Sequence, residues 1–213
     1  MTAPVIDVSY CNTQTCTIRI NTERGVAYDE NRDFLFHIKK TLLSPHNRRV
    51  LYDKEKPIVS FYSKILKPQG RCKVFRGERN DPSQLLFSVK KVNNSSNIPD
   101  NTTLLNVFLA NNNEEIENNF RVIIGGRKES CTVYAGEYIS DNDILAHMRN
   151  NGDFDVTVYP NVDYAFIVAL LMIVKDINCS THSITQTAYK ALKMLQLSLS
   201  SLASAKALVV SKK

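Results

Sequence analysis

The 213-residue sequence predicts a mainly β fold: a twelve-stranded closed antiparallel β-barrel enclosing a C-terminal hydrophobic α-helix, with a helical C-terminal extension. Three observations predict it. Short segments of alternating polarity, separated by polar turns, recur from residue 15 to residue 159, the pattern of half-buried strands. The run YAFIVALLMIV at residues 164 to 174 is apolar on every side, so the rest of the chain has to enclose it. Strand number and helix also agree in size. Eight strands are filled by their own side chains, whereas twelve leave a lumen that a helix ~10 Å across would plug.

The elements follow in order. Residues 15–20, 25–29 and 33–40 make the first three strands, with Ile18 and Ile20 on one face and Arg19 on the other. Residues 48–53, 57–64, 71–76, 84–91 and 103–110 continue the series, and Leu85, Phe87 and Val89 alternate against Leu86, Ser88 and Lys90. Residues 120–124 and 130–135 flank Gly125, Gly126 and Arg127, a hairpin turn because paired glycines tolerate positive φ. Residues 141–149 fit a short helix as well as a strand, since Ile144, Leu145 and Met148 are spaced for either. The last strand, residues 153–159, puts Phe154, Val156 and Val158 inside and Asp155 and Thr157 outside.

The helix is expected over residues 162–177, with Asn161 as N-cap, Asp163 in the first turn and Lys175 near the end. Its length separates a core helix from a membrane span. Eleven apolar residues rise only ~17 Å, and crossing hydrocarbon takes roughly 20, so a buried core helix is expected and no transmembrane span. The domain plan is an arm at 1–14, a barrel domain at 15–178 and an extension at 179–213.

Five cysteines (Cys11, Cys16, Cys72, Cys131 and Cys179) are odd in number and scattered, which suits reduced thiols better than a disulfide framework. With no basic-then-apolar leader at the first residues, the expected placement is cytoplasmic, with peripheral membrane and nucleus as the alternatives. His37, His46, His147 and His182 are dispersed, and the seven glycines stand singly or in turns rather than in a phosphate loop. Neither a catalytic constellation nor a metal or cofactor motif is visible, so a non-enzymatic protein without cofactor is expected.

Charge is the stronger signal. The net +6 is unevenly spread: residues 39–91 carry fourteen Lys/Arg against four Asp/Glu, and residues 92–178 carry five against twelve. A basic surface of this kind either prefers anionic partners or is merely solvated.

Several motifs also resemble one family. VTVYPNVDYAFIVALLMIVKDIN (156–178) resembles the end of the plant LURP-one-related proteins. HNRRVLYD (46–53), VFRG (74–77), LLFSVKK (85–91), NVFLA (106–110), FRV (120–122) and SCTVYAGE (130–137) occur in that family's order. The resemblance covers roughly residues 15 to 178. It departs at Cys72, where the family usually has tryptophan, in a short loop after SCTVYAGE, and in the residues after 178. The family is similar to the tubby C-terminal domain and the phospholipid scramblases, so the resemblance implies the same twelve-stranded barrel and central helix.

It also implies a question about ligands. Tubby-like domains hold a phosphoinositide headgroup on cationic strand residues, and Arg48, Arg49, Lys64, Lys67, Arg71 and Lys73 are the candidates here, with Arg71 and Lys73 on one face of a strand. Anionic phospholipid headgroups are thus the expected partner, and a defence role in plants is what the family implies. Nucleic acid is the weaker use of the same charge, since there is neither a recognition helix nor an aromatic stacking pattern. A protein-interaction scaffold without lipid binding is the alternative, and its partners are not legible. Scramblase activity is not expected without a palmitoylation run or calcium loop.

The extension repeats leucines at spacings of four and three. Leu192, Leu195, Leu199 and Leu202 form a stripe, and Lys190 and Lys193 supply positive charge without any acid. Such a helix lies on anionic membrane, enters a partner's groove, or folds back on the barrel.

Overall fold

The computed structural model describes residues 3–40, 48–63, 71–92, 102–112, 114–125, 130–151 and 153–175. The chain divides after Lys175, and residues 176–213, which include the leucine stripe with Lys190, Leu192, Lys193, Leu195, Leu199 and Leu202, lie outside the described residues. Lys64 and Lys67 lie outside them as well.

Twelve strands are present: β1 (Cys16–Asn21), β2 (Val26–Tyr28), β3 (Phe34–Lys40), β4 (Arg49–Asp53), β5 (Lys56–Ser63) and β6 (Arg71–Arg76), then β7 (Leu85–Lys91), β8 (Thr103–Leu109), β9 (Phe120–Ile124), β10 (Ser130–Ala135), β11 (Ile144–Asn151) and β12 (Asp153–Val158). Each pairs antiparallel with its neighbours in sequence, and β1 also pairs with β12, opposing Ile18 to Val156 and Arg19 to Asp155. The sheet therefore closes on itself and leaves no free edge. Register shifts at Ala27/Tyr28, Leu51/Tyr52, Val74/Phe75 and Val133/Tyr134 mark bulges, which add local twist and help a sheet to curve.

The segment that fits helix or strand from its apolar spacing is strand. Asp141–Asp143 make one turn of 3-10 helix capped by Ser140, and β11 starts at Ile144. Pairing on both sides, to β10 and β12, decides it, because a ladder position outweighs an ambiguous local pattern. Gly25 supplies the tight turn between β1 and β2. Its φ is +68°, and a Cβ there would meet the Ile38 carbonyl at 3.3 Å.

The helix α1 occupies residues 164 to 175 of the described chain. Every residue from Ala165 to Val174 is at most 2% exposed, so the all-round apolar run is buried on every side by the barrel. Phe166 packs its ring against Phe87 on β7 and Phe120 on β9, with centroids 5.1 and 4.9 Å away. No helix among the described residues is long and apolar enough to cross a membrane.

One expectation is corrected at the helix start. Asp163, not Asn161, is the cap: Phe166 N–H donates to Asp163 Oδ1 at 3.0 Å, and Ile167 N–H to the Asp163 carbonyl. Asn161 instead takes a left-handed φ of 62° in the turn before it, and its N–H donates to the Asn12 carbonyl. At the far end, Lys175 Nζ donates to the Thr22 carbonyl.

The N-terminal arm meets the barrel at this cap. Ile6 N–H and Asp7 N–H donate to Asp163 Oδ2 at 2.6 and 3.1 Å, and Cys11 bridges to Asp163 through the backbone. Tyr10 sets its ring edge against Phe36 and Tyr164 and donates its hydroxyl to Asp53 at 2.9 Å. Arg76 then holds the Ile6 carbonyl at 2.9 Å. The arm is thus part of the barrel's packing.

Candidate functional site

The helix fills the lumen, so the surface available to a partner is the outside of the barrel. Alternation decides what faces outward. On β6, Cys72 and Val74 are buried inward, which turns Arg71 and Lys73 out. On β7, Phe87 and Val89 point in, while Ser88 and Lys90 lie on the outer side. Ser88 is only 3% exposed despite facing out, because its hydroxyl is enclosed between Arg71 and Glu115.

The candidate cations divide. Arg71 Nη2 donates to Ser88 Oγ at 3.1 Å and forms an ion pair with Glu115. Lys73 is exposed beside it, opposite Ser88 in the ladder. Arg49 is elsewhere: it stands opposite Phe61, which is 1% exposed in the core, so register turns it toward the inner side of the barrel wall. Arg48 precedes β4 on the alternate side, and its Nε is buried with no hydrogen-bond partner among the described residues. Of the six candidates, the structure brings Arg71 and Lys73 together.

It also adds two cations that the sequence did not single out. Arg71 stands opposite Lys90, Lys90 opposite Asn106, and Asn106 opposite Arg121 on β9. These four residues form one outward rank across β6, β7, β8 and β9, with strands spaced about 4.8 Å apart. Arg121 donates from Nη2 to Asn118 Oδ1 at 3.1 Å and lies 3.7 Å from Glu137. Lys90 is exposed. The outward parity of LLFSVKK marked Lys90, but only the strand register could place Arg121 in rank with it across Asn106.

The opposite side of the barrel is electrically different. An open groove of about 480 Å³ runs over β1, β2 and β12, where Arg19, Arg24 and Arg32 are matched by Asp29, Glu30, Asp153 and Asp155. Arg19 Nε donates to Asp155 at 2.9 Å. His37 stacks on Tyr52 with centroids 5.0 Å apart, while His147 Nδ1 lies 3.0 Å from Thr132 Oγ1. Burial lowers the His147 pKa, and Arg149 lowers it further. Among the described residues no group of three His, Cys, Asp or Glu is placed to hold a metal ion.

Cysteines follow the same division between inside and outside. Cys72 and Cys131 are buried and Cys11 and Cys16 half-buried, and these four form no disulfide with one another. Desolvation pushes the Cys131 thiol up to about 12, which leaves it protonated and unreactive at neutral pH.

Comparison with known proteins agrees with this architecture. The LURP-one-related family model matches residues 14–176. The Arabidopsis thaliana protein LURP-one-related 15 is 38% identical over 164 residues, covering 72% of this chain and 72% of its own length. Protein LURP1 from the same organism is 37% identical over 154 residues, covering 67% of this chain and 71% of its own. An X-ray structure of an Arabidopsis thaliana protein superposes with a TM-score of 0.67 at 36% identity, over 83% of this chain and 99% of that one. Fold, motif order and identity over most of the barrel converge, and the chain belongs to the LURP-one-related family.

Proposed function

We propose that this protein is a non-enzymatic binding module that takes anionic phospholipid headgroups, phosphoinositides foremost, on the outer face of β6 and β7. The observation that carries the reading is the pair Arg71 and Lys73 turned out beside Lys90, on a barrel whose lumen is already occupied by α1. Cations on neighbouring strands converge on phosphate oxygens through charge-assisted hydrogen bonds. Their attraction also concentrates the protein at a negatively charged membrane surface. A role in plant defence, carried out through such binding rather than through catalysis, is the wider function we assign on family resemblance.

Flotation of the full chain with phosphatidylcholine vesicles, with and without phosphatidylinositol bisphosphate, tests the reading. The native chain should float with the phosphoinositide vesicles, and Arg71→Gln combined with Lys73→Glu should leave it in the pellet. Equal flotation of the two proteins would refute the assignment of this face.

A further inference from the structure

The outward rank Arg71, Lys90, Asn106 and Arg121 is closed at both ends by carboxylates from loops. Glu115, between β8 and β9, pairs with Arg71 Nη2, and Ser88 Oγ donates to the same Glu115 oxygen at 3.4 Å. Glu137, just after β10, stands 3.7 Å from Arg121 Nη2. Neither arginine uses its full donor set. Arg71 Nε and Arg121 Nε are buried without a hydrogen-bond partner among the described residues, and so is Asn106 Oδ1 between them.

Buried polar atoms are rarely left unpaired, and one cause is a missing ion or water. Three such atoms in one rank of four residues call for a common cause. A guanidinium binds an oxyanion through parallel N–H groups, and in each arginine the Nε–H is one that no described residue accepts. The Asn106 amide, turned half a rotation, offers its NH2 within the same rank. Glu115 is held at a left-handed φ of 50°, a strained conformation for a residue with a Cβ.

We infer that this rank is a binding site for a polyphosphate anion, held shut in the free protein by Glu115 and Glu137, whose carboxylates stand where phosphate oxygens go. The ligand class rests on the reading above, to which the inference adds Arg121 and Lys90 as ligands and the two loops as latches. The latched fraction lowers the apparent affinity in proportion, so neutralising the latches raises it. Lys90, exposed at the centre of the rank, contacts the anion whether the latches are open or closed.

The test uses the full chain as native protein, as Glu115→Gln, as Glu115→Gln with Glu137→Gln, and as Lys90→Glu. Each is titrated calorimetrically with inorganic pyrophosphate and floated with the phosphoinositide vesicles. The double variant should bind pyrophosphate roughly tenfold tighter than the native chain, with the single variant between them, and Lys90→Glu should lose binding. Equal pyrophosphate affinity in native and double variant, or native-like binding by Lys90→Glu, overturns the inference. Vesicle binding unchanged by Glu115→Gln and Glu137→Gln removes the latch and leaves the lipid reading standing. A gain with pyrophosphate but no vesicle binding by any variant keeps the site and removes the membrane as the source of its phosphate. If no variant binds either probe, both fall.

Discussion

Charged groups at the helix cap and in the outer rank of the described barrel differ in how completely they are paired. Asp163, at 4% exposure, accepts backbone N–H groups from Ile6, Asp7 and Phe166. In the outer rank, Arg71 and Arg121 each keep a buried Nε with no partner among the described residues. A carboxylate saturated by backbone donors ties elements together and has nothing left to offer a ligand. An arginine whose buried Nε–H has no partner costs stability and keeps a donor for a ligand. The first region is architecture, and the second is where a ligand is expected.

The largest effect belongs to the interior. Ala169 is 0% exposed, so Ala169→Asp buries a charge with no partner, at a cost of several kcal/mol against the ~5–15 kcal/mol that hold a domain folded. Soluble, cooperatively melting Ala169→Asp protein would show that α1 is not the barrel's axle.

Asp163→Ala removes the helix cap and strands the Ile6 and Asp7 donors. The expected loss is about 3 kcal/mol in urea unfolding. A change below about 1 kcal/mol would mean that the arm is held by Tyr10 and Arg76 instead.

Asp163 also carries a pH dependence with a definite sign. Burial raises its pKa above the ordinary 3.8, against the lowering by its backbone donors. A carboxyl whose folded pKa is raised contributes most below the unfolded value, and the contribution is lost as pH rises through the folded one. The advantage of native protein over Asp163→Asn should therefore be greatest below pH 3.8 and shrink above it. Unfolding curves across that range check the slope, and an advantage that grew with pH would reverse the assignment.

Thiol reactivity separates inside from outside on a smaller scale. Cys131 should resist iodoacetamide in the native protein and react only on denaturation, because its thiol is both enclosed and pushed up to about 12. Peptide mapping after brief labelling reads this directly. The smallest effect is expected at Lys73→Glu, an exposed site. Its stability should move by about 0.5 kcal/mol or less, which makes it a clean probe of binding.

Much of the fold was legible because burial and alternation are local properties of strands. Ile18 and Ile20 opposite Arg19, or Cys72 and Val74 between outward Arg71 and Lys73, read the same in sequence and in structure. The helix start was misread by two residues, since Asn161 and Asp163 are both good caps by type. The choice of Asp163 follows from the Ile6 and Asp7 N–H groups, which lie more than 150 residues away in the chain.

The candidate site was legible only in part, for the same reason. Arg71 and Lys73 share a strand, so their common face follows from period two. Arg49 looked equivalent to Arg48 in the sequence, yet its pairing with Phe61 turns Arg49 to the core side of the wall. Arg121 and Lys90 are thirty-one positions apart in number and two strands apart in space, with Asn106 between them.

Sequence alone settled the apolar axle, the number of strands around it and the basic bias of residues 39–91, because hydrophobic periodicity and charge are written residue by residue. Tertiary structure alone decided which cations stand in one rank and which acids close it, because pairing register and loop return depend on contacts between segments distant in the chain.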